Sequence, residues 1–371
     1  MTGVQTCALP ILQISRLPSK ISEESLKYLI IQISFQHLLP FHLAFYHLLE
    51  KAPYKQQSAR TDLLNDQSRF WLNFSQQIDE DYSAFAAMQL RPQTKYDDNF
   101  SSGFYTHRIY AGVENRNWGK ISFGNQSTIA NKLKVADFTY KFGGVTAAGV
   151  LSPGIDKDGN LGTYRTYGRT QYGLKTSGKK DIHVETVAWN GFTFGADYSF
   201  ASNAAEYITN QYGLNTANTN NYGWQTGILF FKKFDDIRVK ANLVYGFNKP
   251  QYYQTVRSIG AALGFGIGAF DFGADYIHDR NRYQRNAAHN SQTAWQLGAR
   301  YYVTYPWGIY TAYRQTKFTD NVKNKGFAFG TDYRWTRYVK TFLEYATNKA
   351  RGDTQYTKRQ NGYYAGLRVD F

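Results

Sequence analysis
The sequence predicts an all-β fold: a transmembrane antiparallel β-barrel whose strands separate lipid from water. Three observations predict it. From Gln67 to the C-terminus apolar and polar residues alternate with period two, which gives each strand two chemically different faces. Connections between the strands alternate between short and long. The chain is polar on average, with a mean hydropathy of −0.53, although it carries 31 Tyr, 26 Phe and 7 Trp. An ordinary helical membrane protein is excluded, because each span needs about 20 consecutive apolar residues. Disorder is excluded by aromatics dense enough to bury a large surface. A single Cys excludes a disulfide scaffold.

The elements follow in order. Phe70, Leu72 and Phe74 share one face and Arg69, Asn73 and Ser75 the other. Ala84, Ala86, Met88 and Leu90 oppose Gln89 and Arg91, and Ile109, Ala111 and Val113 oppose Arg108 and Glu114. Ile121 and Phe123 oppose Lys120 and Ser122. Phe192, Phe194, Ala196 and Tyr198 oppose Thr193, Asp197 and Ser199. Ile237, Val239, Ala241 and Leu243 oppose Arg238, Lys240 and Asn242. The pattern continues with Phe270, Phe272, Ala274 and Tyr276 against Asp271 and Asp275, then Trp295, Leu297, Ala299 and Tyr301 against Gln296 and Arg300. Ile309, Thr311 and Tyr313 oppose Arg314, and Phe327, Phe329 and Tyr333 oppose Asp332 and Arg334. Val339, Leu343 and Tyr345 oppose Lys340 and Glu344, and Leu367, Val369 and Phe371 oppose Arg368 and Asp370. With weaker strands at 182–188, 224–232 and 254–265, the candidates number fifteen.

Connections at 115–117, 233–235 and 305–306 are tight, whereas those at 126–180, 201–222 and 280–290 are long and polar. Short turns at one end and long loops at the other suit an outer-membrane barrel. Bacterial barrels of this kind have even strand numbers, so a sixteenth strand is expected before Gln67. Sixteen strands leave an aqueous channel.

Composition breaks sharply near residue 55. Residues 1–58 hold one Gly, no Trp, four of the eight Pro and the single Cys, whereas the remainder holds 28 of the 31 Tyr. Residues 1–54 therefore read as a non-native or out-of-frame segment preceding a barrel at 55–371. The apolar stretch Leu26–Leu49 is interrupted by Pro40, two Gln and three His, which argues against a membrane helix.

Several stretches carry a resemblance in order along the chain. They are Ser68-Arg69-Phe70, then His107-Arg108-Ile109-Tyr110-Ala111-Gly112, then Gly119-Lys120-Ile121-Ser122-Phe123-Gly124. Tyr305-Pro306-Trp307-Gly308-Ile309-Tyr310 and the terminal Gly366-Leu367-Arg368-Val369-Asp370-Phe371 complete the set. In these the chain resembles the Gram-negative general porins of Haemophilus and its relatives. The resemblance implies a 16-stranded barrel, a homotrimer in the outer membrane, in contact with the lipid bilayer and lipopolysaccharide. It also implies a third loop folded into the lumen. The matching piece here, Tyr140-Lys141-Phe142-Gly143-Gly144, keeps Phe-Gly-Gly and places Lys141 where the family often has Glu.

The resemblance further implies a constriction in which wall arginines face loop carboxylates. Arg69 and Arg108 match two of those arginines, and Arg91 and Lys120 share the polar faces of neighbouring strands. Asp137, Asp156 and Asp158 are the loop acids, with Lys141 beside them. A weak anion preference is the expected result, or at least a weaker cation preference than in porins with Glu at the position of Lys141. The run from Asp156 to Asn160 resembles a calcium loop but lacks its later acidic ligand and reads as a turn. Enzyme chemistry has no foothold: no P-loop, H-E-x-x-H, C-x-x-C or G-x-S-x-G motif is present, and no cofactor is implied. The net charge of +15 is spread along alternating strands, so nucleic acid is not the expected partner. Two functions fit: passive diffusion of ions and small hydrophilic solutes, with a sugar-specific porin as a variant, or a barrel serving mainly in surface binding or adhesion.

Overall fold
The computed structural model describes residues 29–30, 43–48, 60–65, 69–93, 103–140, 142, 177–200, 222–249, 256–281, 290–318, 323–351 and 359–370. Its strands are β1 (Leu29–Ile30), β2 (Leu43–Leu48), β3 (Arg60–Asn65), β4 (Phe70–Gln77), β5 (Tyr82–Gln93) and β6 (Gly103–Asn115). Then follow β7 (Gly119–Ser127), β8 (Ser177–Thr186), β9 (Phe192–Ser199), β10 (Tyr222–Phe234), β11 (Ile237–Lys249) and β12 (Val256–Ile267). The remaining strands are β13 (Phe270–Asn281), β14 (Asn290–Thr304), β15 (Trp307–Phe318), β16 (Lys323–Arg334), β17 (Val339–Arg351) and β18 (Arg359–Val369). Every strand from β4 to β18 pairs antiparallel with its sequence neighbours, which is the meander that the alternation predicts.

The turns sort by end. Those after β4, β6, β8, β10, β12, β14 and β16 are tight, and all of them lie at one end of the strands. Asp235 and Gly268 take positive φ of 47° and 52° to close two of these hairpins. The C-terminal ends of β5, β7, β9, β11, β13, β15 and β17 lie at the other end.

Hydrophobicity is inverted relative to a water-soluble protein. Phe123, Phe194, Phe272, Leu297, Phe329 and Leu343 point outward and are exposed, whereas Gln89, Ser122, Asp275, Gln296 and Glu344 point inward and are buried. No helix among the described residues is long and apolar enough to cross a membrane, and the crossing is made by strands. Each outward apolar side chain has lipid as its solvent, and the buried carboxylates Asp275 and Glu344 have hydrogen-bond donors inside the wall.

Closure shows in what the segment after β7 touches. The 3₁₀ turn Ile129–Leu133 packs on Val244, Ala262, Ile277 and Ala294, and Tyr140 reaches Asp332 and Glu344. Residues 129–140 and 142 thus meet lumen-facing positions from β9 to β17. A flat sheet of those nine strands would be roughly 40 Å wide at about 4.8 Å per strand. Lys134, next to the Val135 amide that Asp275 of β13 holds, also lies within electrostatic reach of Arg69 and Arg108 by β4 and β6, so the sheet curls until those walls face one another.

Strands from before Gln67 occupy the free edges. β2 pairs with β18 through Leu48↔Gly362 and Phe45↔Ala365, β3 pairs with β2, and β1 pairs with β4. Leu43–Leu48 lies inside the segment that composition sets apart. Its docking needs no special sequence, because an open strand edge offers backbone N–H and C=O groups to any extended neighbour.

Candidate pore constriction
The lumenal loop is seated by the wall opposite β4–β6. Ile129, Ala130 and Leu133 are completely buried, so this turn behaves as a small core inside the channel. Wall carboxylates accept hydrogen bonds from loop backbone amides. Asp197 Oδ2 accepts from Ile129 N–H at 2.8 Å, and Asp275 Oδ1 accepts from Val135 and Ala136 N–H at 3.0 and 3.1 Å. Glu344 takes the Tyr140 and Phe142 amides at 2.7 and 2.8 Å. Tyr140 donates its hydroxyl to Asp332 and stacks on Phe342, with centroids 4.3 Å apart and planes within 5°. Each buried carboxylate therefore has the donors that its burial demands.

Small residues make room for this seat. Gly264, Gly273, Gly298, Ala312, Ala328, Ala346 and Gly362 pair directly across seven consecutive strands. A Cβ at Gly298 would collide with the Ala136 carbonyl, and one at Gly273 would lie 2.7 Å from Ala136 Cα.

On the facing wall Arg69, Arg91 and Arg108 come together around His107, with the Arg108 guanidinium 5.9 Å from the Trp71 ring centroid. Lys134 of the loop lies within electrostatic reach of Arg69, Arg108 and Asp137. Lost hydration pulls the Lys134 ammonium below its ordinary pKa, Asp137 opposes this, and the two arginines add to it. Lys134 still presents open surface to the lumen. Asp137 is held above the usual carboxylate range by burial, against the pull of the Thr139 hydroxyl at 3.0 Å, Lys134 and Arg314.

The structure thus gathers Arg69, Arg91, Arg108 and Asp137 of the expected residues, with Lys134 as a cation that the sequence reading did not single out. Lys120 lies apart. It opposes Glu114 on β6, six residues from Arg108 and so roughly 20 Å along the strand at 3.3–3.4 Å per residue, and it is 3.7 Å from Glu185. The alcove there also holds Lys132 and His183, whose ring lies between Asp197 and Glu185. Lys141, Asp156 and Asp158 lie outside the described residues. The anchors Asp197, Asp275 and Glu344 were visible in sequence only as inward-facing acids. Their targets are backbone amides 68 to 204 residues away.

A family model for Gram-negative porins matches residues 50–353. The chain belongs to the Gram-negative porin family. This porin is 23% identical over 346 residues to a major outer membrane protein of Pasteurella multocida, covering 85% of this chain and 88% of that one. Among solved structures it is similar to the anion-selective porin from Comamonas acidovorans. The TM-score there is 0.65 and the identity 14%, over 89% of this chain and 97% of that one. It also resembles a trimer form of OmpT, an outer membrane protein of Vibrio cholerae, with TM-score 0.60 and 14% identity over 89% and 97% of the two chains. The porin resides in the outer membrane, where its barrel forms a water-filled channel for passive diffusion of ions and small hydrophilic solutes. Residues 129–140 and 142 lie inside that channel, against its wall.

Proposed function
We propose that this porin passes anions in preference to cations, and that Arg69, Arg91, Arg108 and Lys134 set the preference against Asp137. One observation carries the reading: the acids of the opposite wall are already spent. Asp197, Asp275 and Glu344 hold loop amides, and Asp332 holds Tyr140 and Arg300, the latter at 2.5 Å. The cations of the β4–β6 wall face the lumen, and among the described residues Asp137 is the loop acid near them, beside Lys134. Low-dielectric walls focus such a field on passing ions. No bond is made or broken in this process, so the pore needs no catalytic group. The working unit is a homotrimer embedded in lipid and lipopolysaccharide, by analogy with the trimeric form of the Vibrio protein.

Reversal potentials in a KCl gradient test the preference. Wild type should show chloride more permeant than potassium. Arg91→Gln with Arg108→Gln should lower that ratio by about twofold or more, with the largest effect at low salt, where the Debye length is longest. An unchanged ratio in the double variant would contradict the assignment.

A further inference from the structure
Inside the channel, away from the arginine wall, β10–β13 and the loop line an alcove of about 250 Å³. Val135 and Phe138 of the loop form one side, and Phe231, Arg238 and Lys240 of the wall the other. Phe231 faces the lumen. It shares the inward parity of Gly227, whose missing Cβ makes room for Ile129, and of Leu229, which packs on the loop core. Among the described strand residues it is the large apolar side chain that points inward and is still 54% exposed. An aromatic face left to water inside a polar lumen is an unfilled contact. Directly opposite Phe231 in the register stands Lys240, its Nζ 5.8 Å from the ring centroid. Arg238 is engaged by Asp271 at 2.9 Å, which leaves Lys240 as the cation offered to a visitor.

From this geometry we infer a solute subsite for small aromatic carboxylates: the ring lodges against Phe231 and Phe138, and the carboxylate meets Lys240. An apolar cavity of about 150 Å³ suffices for benzene, so the alcove holds one ring and its carboxylate. A sugar would leave the ammonium unmatched, and an aliphatic acid would leave the ring face wet. A carboxylate on a ring satisfies both walls of the alcove at once. The inference rests on the open-channel reading above, and the test keeps the two apart.

The test is single-channel recording in KCl with sodium benzoate or sodium acetate added to one side. Benzoate should reduce the open-channel current saturably, and acetate should not. Phe231→Ala and Lys240→Met should each raise the half-blocking benzoate concentration about fivefold or more, equivalent to roughly 1 kcal/mol. Lys120→Gln, a lumenal cation apart from both the arginine wall and the alcove, should leave it within about twofold, a difference of roughly 0.4 kcal/mol. If Phe231→Ala does not assemble, Phe231→Leu keeps the bulk without the aromatic face and is read in the same way. Equal block by acetate would overturn the subsite, as would an unchanged half-blocking concentration in the Phe231 and Lys240 variants. Intact KCl conductance with no benzoate block sinks the subsite alone, whereas absence of KCl conductance sinks the channel itself.

Discussion

Asp275 shows how one side chain holds the constriction. It accepts two successive loop amides from a buried position on β13. Asp275→Asn keeps the shape but removes the charge and turns half of the acceptor pair into a donor. Leaving such amides without a charged partner costs about 1–3 kcal/mol. The variant should insert and conduct, with noisier open-channel current and faster proteolysis of the loop; quiet, wild-type traces would refute the anchoring role. Gly298→Val tests the same seat by volume, since its side chain would occupy the space of the Ala136 carbonyl. It should displace the loop and change unit conductance. Asp137 and Lys134 add a pH effect with one sign. Burial raises the Asp137 pKa and lowers that of Lys134, so rising pH creates the anion earlier than loss of the cation completes, and both weaken anion preference. Chloride-to-potassium permeability should therefore fall as pH rises from 4 to 10, and Asp137→Asn should flatten the acidic part of that curve. Period two made the wall arginines legible in sequence, because parity alone puts Arg91 and Arg108 on the water side. It could not separate acids that face ions from acids that grip backbone, since both have inward parity.

At the scale of the strand, alternation was sufficient. The fifteen strands from Phe70 onward keep apolar side chains on the lipid face, and inward Leu229, Phe231, Tyr310 and Phe342 and the register shifts at Gln89/Leu90, Gly124/Gln126 and Tyr302/Thr304 are local departures. A charge on the wrong face is therefore costly. Leu297→Arg places guanidinium on the lipid side of β14, where Leu297 is 51% exposed, and should cost about 2–4 kcal/mol near the bilayer centre. The expected result is a lower folded fraction in lipid vesicles, read by urea titration, and unchanged stability would refute the register. Glycines recur on the polar faces of these strands, Gly195, Gly273, Gly298, Gly330 and Gly366 among them. The structure supplies their reason: Gly264, Gly273 and Gly298 lie under the loop, and Gly330 and Gly366 lie under the rings of Tyr310 and Phe342. That reason was not legible locally, because it depends on strands distant in sequence sharing one register. The edge pairing of β2 with β18 was equally hidden, since an open edge recruits backbone rather than side-chain pattern.

For the whole molecule, the wall is built from local hairpins, and one loop then crosses its interior. That loop divides the lumen into an arginine wall and a seat of spent carboxylates. The barrel supplies the water path, and residues 129–140 and 142 lie within it against the wall. Single-channel recording of the purified protein in planar bilayers, under a KCl gradient, measures both properties at once. The account predicts steady, ohmic unit openings with a reversal potential displaced toward that of chloride. A barrel that inserts but gives no openings, or one whose reversal potential lies on the potassium side, would contradict it.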